Sequence, residues 1–278
     1  ETEHQALDAA EKINADIKEL PAVIDMASAL SGKNFVHDEI GTNQCYDWGW
    51  IEDNREATDK AIKNAHHVTT LELVNNRLVP NAMEPRCSIA DYNPANDDYT
   101  LYTTSQNPHL TRLLISAFVL GIPENKLTVV SPDVGGGFGS KIYHYGEEAL
   151  VLAAAKRIKR PVRWTATRSE SFMSDAHGRD HVTKIELALD KDNNFLAFRT
   201  ETMANVGAYL SNFSTVTPTI LHGTLMAGNY AVPNVYVNVK TVFTNTAPVD
   251  AYRGAGRPEA TYSLERVIDK AATELGVD

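Results

Sequence analysis

The chain has 278 residues, of which 43% are hydrophobic and 22% are charged, and this composition excludes a disordered, collagen-like or disulfide-stapled protein. Its 26 lysines and arginines against 36 aspartates and glutamates give a net charge of −10, which disfavours nucleic acids and anionic membranes as partners. The sequence lacks a run of about 18 apolar residues and so predicts no membrane span. Two cysteines without a C-x-x-C spacing predict reduced thiols in a cytoplasmic protein.

The first residues predict a small α/β unit followed by a connection. Apolar residues at helical spacing predict a helix over 5–18, and a proline then favours a short strand over 20–24. Scattered glycines and polar residues over 31–52 show no periodicity. We therefore expect 1–30 to be the tail of a preceding small α/β domain and 31–52 to be a connecting segment. Because the chain does not begin with Met, we also expect it to be an internal fragment.

Residues 53–278 predict a mixture of helices and strands. Their apolar patterns include a hairpin, a strict period-two stretch and a long C-terminal helix. The predicted helices are 55–65, 108–121, 146–156 and 260–278, and the predicted strands are 67–74, 87–91, 99–103, 127–130, the hairpin 185–203, and 235–243. The antiparallel signals in the second half favour an α+β fold, with mixed, largely antiparallel sheets and packed helices, over a doubly wound fold.

A glycine loop, Gly135–Lys141, follows the predicted strand 127–130 and precedes a helix. Successive glycines can adopt positive φ and expose backbone N–H groups, so such a loop can cradle an oxo-anion. The alternative is a tight strand-to-helix turn without a ligand. The loop matches neither the P-loop nor the dinucleotide fingerprint, and the large ring of Phe138 among the glycines is unusual for a turn that is merely permissive.

An arginine turn, Asp250–Arg257, leads into the C-terminal helix and places Arg253 and Arg257 beside glycines. Two guanidinium groups at a helix start form an electropositive pocket for an anion, or for an oxygen that becomes negative during a reaction. The alternative is that these arginines pair with Asp250 or Glu259 and merely stiffen the turn.

Two further polar segments are candidates for ligand contact. Gln106 ends a strand just before the helix that begins near Pro108, where its amide is either a ligand donor or a helix cap. His177 and Arg179 flank Gly178 and could touch a ligand, although a satisfied hydrogen-bond cluster is the favoured interpretation. The histidines lack metal-ligand spacing and no G-x-S-x-G elbow is present, so we predict neither protein metal ligands nor a serine hydrolase.

Taken in order, these motifs resemble the molybdopterin-binding large subunit of the xanthine dehydrogenase and aerobic carbon monoxide dehydrogenase family of molybdenum hydroxylases. The resemblance is specific because three weak signals occur in a fixed order, and it extends along nearly the whole chain. It is carried by Leu20–Asp25, Gln106–His109, Pro132–Lys141, Arg160–Trp164, Arg168–Glu170 and Ala251–Arg257.

The resemblance implies a molybdenum ion held by a pterin dithiolene, as the cytosine dinucleotide, that hydroxylates a substrate carbon with oxygen from water. By resemblance, Gln106 hydrogen-bonds an oxo ligand of the metal, and Arg253 binds the cofactor and stabilises the developing negative charge on the substrate as the catalytic residue. The backbone that lines the metal and pterin would belong to Gly136, Gly137, Phe138 and Gly139.

Two departures from the family pattern narrow the implied substrate. Gly254 stands where carbon monoxide dehydrogenases carry a copper-binding cysteine, and glycine cannot ligate copper, so oxidation of carbon monoxide is disfavoured. Ile142 stands where xanthine-oxidising members have a glutamate. The resemblance therefore implies an aldehyde or N-heteroaromatic substrate.

The resemblance also implies that 53–278 is the first half of the molybdopterin-binding region. The general base would lie in the remainder of the large subunit, and iron–sulfur and FAD subunits would be further partners. We therefore expect the isolated chain to be inactive and to hold its cofactor weakly. The alternative is a non-catalytic module that binds a pterin nucleotide or another anion.

Overall fold

The computed structural model describes residues 2–278. Within these residues, no helix combines the length and apolar character needed to cross a membrane. The strands are β1 (Gln44–Trp50), β2 (His67–Asn75), β3 (Cys87–Asn93), β4 (Asp98–Thr103), β5 (Leu127–Val130), β6 (Val162–Thr165), β7 (His181–Leu189), β8 (Phe195–Gly207) and β9 (Asn234–Phe243). The helices are α1 (Glu3–Ala10), α2 (Met26–Ser31), α3 (Arg55–Asn64), α4 (Pro108–Leu114), α5 (Gly146–Ile158), α6 (Arg168–Ser174), α7 (Ile220–Gly223) and α8 (Arg257–Leu275).

The larger sheet has five strands in the order β1-β9-β8-β7-β2. Adjacent strands in this sheet are antiparallel, except for β8 and β9, which run parallel to each other. The predicted hairpin is confirmed as β7 and β8, and its turn is closed by the Asp190 carboxylate, which accepts hydrogen bonds from the backbone N–H groups of Asp192 and Asn194. The strict period-two stretch is confirmed as β9.

One face of this sheet packs against α8 and forms the main core. Leu264 and Val267 of α8 lie in one apolar cluster with Ile185 and Val237 of the sheet, because helical spacing places the apolar residues of α8 on a single stripe. The helix begins at Arg257 and ends at Leu275, where Gly276 at a φ of +67° stops it, so the predicted span 260–278 was shifted.

The smaller sheet has four strands in the order β5-β4-β3-β6, with β4 and β5 parallel. Leu101 of β4 packs with Ile115 and with Leu152 of α5. The helix predicted from Pro108 is confirmed as α4, which continues as a π-helical turn over Ile115–Leu120 and ends at Gly121. The glycine loop connects β5 of this sheet to α5, while the arginine turn precedes α8 on the larger sheet.

The α+β fold with mixed, largely antiparallel sheets and packed helices is confirmed. The predictions for the first residues were wrong in part. The helix ends at Ala10 rather than residue 18, since every described side chain of α1 is exposed and no tertiary packing extends so short a helix. Residues 20–24 form no strand, and Val23 instead exchanges hydrogen bonds with Asn245.

β1 lies inside the predicted connecting segment 31–52. Tyr46, Trp48 and Trp50 alternate with Asp47 and Gly49, and this short local signal was missed by the prediction of a connection. Trp48 and Trp50 pack against the main core, and the strand pairs with β9 at the edge of the sheet. The division into 1–30, 31–52 and 53–278 stays a prediction.

Candidate cofactor-binding site

Three of the four residues from Gly136 to Gly139 have positive φ: Gly136 at +96°, Phe138 at +54° and Gly139 at +114°. Phe138 carries a side chain in a region that disfavours one, and its ring is 42% exposed. Such strain persists where the surrounding structure fixes the backbone, and it is concentrated at functional sites. The conformation of the glycine loop is therefore maintained by the residues around it.

Two glycines of the loop are required by close approach of neighbouring groups. A Cβ atom at Gly137 would lie 2.2 Å from the Oε1 atom of Gln106. A Cβ atom at Gly139 would lie 2.1 Å from the carbonyl oxygen of Ala251. The loop therefore contacts Gln106 on one side and the arginine turn on the other.

Gln106 is held by the backbone of the glycine loop. Its Oε1 atom accepts hydrogen bonds from the backbone N–H groups of Gly139 (2.9 Å) and Lys141 (3.3 Å). Its own backbone N–H donates to the carbonyl oxygen of Lys141 at 2.7 Å. Because both partners of the side-chain oxygen are donors, the amide NH₂ is the free end. Within residues 2–278 this exposed NH₂ has no hydrogen-bond partner, so it is available to a ligand oxygen.

Arg253 is anchored to the glycine loop through its backbone and not through its side chain. Its N–H donates to the carbonyl oxygen of Phe138 at 2.8 Å. Its exposed guanidinium lies 5.7 Å from the centroid of the Phe138 ring, within the range of cation–π attraction. Within residues 2–278 it has no carboxylate partner, so its charge faces an open surface.

The alternative in which Arg253 or Arg257 pairs with Asp250 or Glu259 is wrong. Asp250 accepts hydrogen bonds from the backbone N–H groups of Phe213 (2.7 Å) and Ala251 (2.5 Å). Glu259 pairs with Arg179 at 2.8 Å. The guanidinium of Arg257 instead donates to the carbonyl oxygen of Gly254 at 3.3 Å.

The structure thus brings the three predicted features together around Gly139. Gln106 contacts this glycine through its side chain, Phe138 precedes it in the chain, and the arginine turn approaches it through Ala251. The roles of Gln106, Gly136, Gly137, Phe138, Gly139 and Arg253 toward a ligand stay predictions.

Sequence reasoning missed Glu84, which ties the two ends of the glycine loop together. The Oε2 atom of Glu84 accepts hydrogen bonds from the backbone N–H of Gly135 and from the Nζ atom of Lys141, both at 2.8 Å. Lys141 is buried, and its Nζ atom also donates to the carbonyl oxygen of Glu84 at 2.8 Å. Glu84 precedes Gly135 by 51 residues, so no local pattern marks it.

His177 and Arg179 form part of a satisfied hydrogen-bond cluster, as the favoured interpretation predicted. The Nε2 atom of His177 lies 3.0 Å from the carbonyl oxygen of Phe172. The buried Arg179 donates to Glu259 and to two backbone carbonyls of the arginine turn. Arg179 therefore contacts the arginine turn through its side chain, whereas His177 does so through its backbone carbonyl oxygen, which accepts a hydrogen bond from the N–H of Asp250 at 2.8 Å.

The buried Tyr143 and the half-buried Tyr145 also support the loops. Tyr143 donates to the carbonyl oxygen of Ala251 in the arginine turn at 3.0 Å, and Tyr145 donates to that of Ser140 in the glycine loop at 2.5 Å. Burial raises the pKa of both phenols, so they remain neutral donors at physiological pH. Burial likewise raises the pKa of the Asp250 carboxyl group.

The exposed groups of the site are hydrogen-bond donors and one cation. Gln106 offers an amide, Arg253 offers a guanidinium, and the glycine loop offers backbone close to both. Within residues 2–278, no cluster of three His, Cys, Asp or Glu side chains is arranged to hold a metal ion. The arrangement fits a ligand that brings its own oxygen atoms or negative charge.

Comparison with known proteins gives the following. The family described as the molybdopterin cofactor-binding domain matches residues 36–278. The carbon monoxide dehydrogenase large chain of Hydrogenophaga pseudoflava is 34% identical over 98% of this chain and 36% of its own length. Subunit gamma of the 6-hydroxypseudooxynicotine dehydrogenase complex of Paenarthrobacter nicotinovorans is 34% identical over 98% of this chain and 33% of its own.

Solved structures give the same result. Quinoline 2-oxidoreductase from Pseudomonas putida 86 superposes with a TM-score of 0.92 and 30% identity, covering 100% of this chain and 35% of that chain. Aldehyde oxidoreductase from Desulfovibrio gigas superposes with a TM-score of 0.89 and 26% identity over 100% of this chain and 30% of its own. This chain therefore spans about a third of the length of the relatives that it matches.

Proposed function

The chain belongs to the molybdopterin cofactor-binding domain family, within the xanthine dehydrogenase and carbon monoxide dehydrogenase group, and we propose that its glycine loop, Gln106 and arginine turn bind the cofactor of a molybdenum hydroxylase. The bound cofactor supplies the redox chemistry that places a water-derived oxygen on a substrate carbon. The protein supplies binding, orientation and electrostatics.

The observation that carries this proposal is the fixed amide of Gln106. Two backbone N–H groups of the glycine loop hold its oxygen, so its NH₂ faces outward beside glycines that lack Cβ atoms. A cofactor with oxygen ligands fits this arrangement, because it needs a donor together with a backbone surface that can be approached closely. Gln106 would donate to such an oxygen, and the backbone from Gly136 to Gly139 would line the pterin.

Arg253 is proposed as the catalytic residue. Its exposed guanidinium lies against the Phe138 ring and is free of carboxylates within residues 2–278, so its charge is not neutralised by a neighbour. A cation held at this place stabilises negative charge that develops on a substrate oxygen or nitrogen.

We propose an aldehyde or an N-heteroaromatic compound as the substrate. Gly254 offers no side chain to ligate copper in the arginine turn, which argues against carbon monoxide. Relatives named for quinoline and for 6-hydroxypseudooxynicotine support a heteroaromatic substrate.

The remaining proposals concern the whole protein. We propose the cytosine dinucleotide form of the cofactor, iron–sulfur and FAD subunits as partners, and a general base in the remainder of the large subunit. We also propose a cytoplasmic location, which the unpaired thiols of Cys45 and Cys87 support.

The test is to produce the complete large subunit with its partner subunits and to measure molybdenum, nucleotide and hydroxylation of quinoline and benzaldehyde. We expect about one molybdenum per active unit, and a loss of turnover of about 100-fold or more in Arg253→Ala. We expect Gln106→Ala to lower molybdenum content. Arg163→Ala, at an exposed arginine on β6, is the matched control and should retain turnover. Unchanged turnover in Arg253→Ala would contradict the proposed role.

The alternative function is a non-catalytic module that binds a pterin nucleotide or another anion. Nucleotide recovered without molybdenum from the complete complex would favour this alternative. We further expect the isolated 278-residue chain not to turn over substrate, so appreciable hydroxylation by that chain alone would contradict the need for its partners.

A further inference from the structure

We propose that Arg179 is the positioning residue that holds Arg253 in place, by gripping the backbone carbonyls of the arginine turn from beneath. The inference rests on the proposed role of Arg253. It is carried by the contacts of Arg179, by the strained backbone around it, and by the guanidinium of Arg253, whose contact within residues 2–278 is the ring of Phe138.

The planar guanidinium of Arg179, called the fork below, donates hydrogen bonds to three acceptors. Its NH1 group donates to the carbonyl oxygen of Tyr252 at 3.0 Å and to the Oε1 atom of Glu259 at 2.8 Å. Its NH2 group donates to the carbonyl oxygen of Arg253 at 2.9 Å. The side chain is only 7% exposed and also lies 4.8 Å from the Tyr252 ring centroid. Two consecutive carbonyls of the turn are thus fixed by one rigid group.

The backbone that delivers Arg179 is strained. Arg179 and Asp180 are consecutive non-glycine residues at φ values of +66° and +68°. Asp180 is held there by the Nε atom of Arg77 at 2.8 Å. Gly178 permits the approach, since a Cβ atom there would lie 2.2 Å from the Cβ atom of Tyr252. Strain maintained at two successive positions favours a functional reason for placing this guanidinium.

Glu259 is the carboxylate that pairs with the guanidinium of Arg179. It lies in the first turn of α8, just after the arginine turn, and its side chain is 1% exposed. Its Oε2 atom is buried and has no partner within residues 2–278, so Arg179 supplies its hydrogen bond through Oε1 alone. A lysine at position 179 would retain the ion pair as a point charge, but it would lack the planar fork that reaches both carbonyls.

Arg253 itself has two kinds of constraint. Its backbone N–H is bound to Phe138 and its carbonyl oxygen to Arg179, whereas its guanidinium has only the ring contact with Phe138. The direction of the guanidinium is therefore set mainly by the backbone of the turn. Loosening the Arg179 fork should move the charge without removing it.

The first test is limited proteolysis of the complete complex with trypsin. Within residues 2–278 Arg253 is exposed and is followed by Gly254, whereas the Arg257–Pro258 bond resists trypsin. We expect Arg179→Lys to raise the rate of cleavage after Arg253 by about tenfold, with molybdenum content unchanged. Arg199→Lys, at a paired arginine on the larger sheet, is the control and should cleave at the wild-type rate. A wild-type rate in Arg179→Lys would overturn the proposal.

The second test is a double-mutant cycle in kcat. If Arg179 acts through Arg253, we expect Arg179→Lys to lower kcat by about tenfold, and to add less than about twofold in an Arg253→Lys background. Independent losses that multiply would show a merely structural role and would overturn the proposal.

A third variant covers the case in which Arg179→Lys does not fold. Glu259→Gln keeps the fork and weakens only the ion pair, so cleavage after Arg253 should rise by less than about threefold. A rise of tenfold there would overturn the proposal. The two proposals fail in different ways. Normal turnover in Arg253→Ala would contradict the proposed function of Arg253. Loss of turnover in Arg253→Ala, together with wild-type turnover and cleavage in Arg179→Lys, would contradict only the positioning role of Arg179.

Discussion

The glycine loop and the arginine turn meet at Gly139, yet different kinds of side chain hold them. The glycine loop is tied from its edge by Glu84, whose side chain is 35% exposed. The arginine turn is held from beneath by Arg179 and Glu259, which are 7% and 1% exposed.

The carboxylates of the two ion pairs differ mainly in their exposure to solvent. The Glu84 carboxylate keeps part of its hydration when its partner is lost, although that partner, Lys141, is itself only 1% exposed. A buried charge that loses its partner stays desolvated and destabilises the fold strongly. Both side chains of the pair at the arginine turn are buried, whereas only one side chain of the pair at the glycine loop is, so we expect the turn that carries Arg253 to be fixed more rigidly than the loop. The following predictions test that contrast, in the complete subunit.

The largest expected effect comes from removing one partner of the buried pair. Glu259→Leu leaves Arg179 buried without its carboxylate, and we expect a loss of stability of about 3–5 kcal/mol, measured as a fall in the thermal unfolding temperature. Glu124→Leu breaks the exposed pair of Glu124 with Arg112 and should cost about 0–1 kcal/mol. Equal falls for the two variants would remove the contrast between buried and exposed ties.

The contact between the two regions is tested at Gly139. Gly139→Ala adds a Cβ atom 2.1 Å from the Ala251 carbonyl oxygen at a φ of +114°, and we expect a loss of about 2–4 kcal/mol by thermal unfolding. Gly41→Ala separates the two causes, since its φ is +69° but its Cβ atom meets open space. A loss at Gly139 no larger than at Gly41 would show that the close approach is not restrictive.

The tie at the edge of the glycine loop should have a smaller effect. Glu84→Gln keeps an acceptor for Gly135 but removes the charge that faces the buried Lys141, so we expect a loss of about 1.5–3 kcal/mol. Glu56→Gln, at an exposed glutamate of α3, is the control for charge removal. A loss for Glu84→Gln that exceeds that of Glu259→Leu would reverse the ranking of the two regions.

The last effect is the pH dependence of the arginine-turn side, which is the smallest for each unit of change because it is spread over a wide pH window. His222 lies beneath this turn, where a Cβ atom at Gly256 would be 2.7 Å from its backbone nitrogen, and burial lowers its pKa from 6.5 to about 4. The unfolded chain therefore binds a proton that the folded chain excludes, and stability is lost as pH falls below about 6.5 toward 4. We expect about 1.4 kcal/mol per pH unit in that window from this residue.

The measurement is the unfolding temperature of wild type and His222→Asn between pH 7 and pH 4.5. The difference between the two proteins should shrink, or change sign in favour of the variant, as pH falls. A constant difference for His222→Asn would contradict the role of its burial.

Elements with strong local periodicity were predicted from sequence, and those held by distant partners were not. β9 alternates strictly, and α8 carries an apolar stripe, because each buries a face against the same core. β1 was missed because its alternation covers only Tyr46–Trp50 and lies among glycines, and the strand is held in place by pairing with the distant β9. The helix predicted over 5–18 ended early, since nothing packs on α1 to favour its extension.

At the site, the sequence by itself determined the ordered set of amide, glycine loop and arginine turn that marks the family, since backbone freedom and charge are properties of residue type. Tertiary structure alone decided that Gln106 and the arginine turn meet at Gly139, and that Glu84 and Arg179 anchor them. Arg179 and Glu259 are 80 residues apart, and each is an ordinary charged residue in its own segment. Their pairing follows from burial between packed elements, which no local pattern encodes.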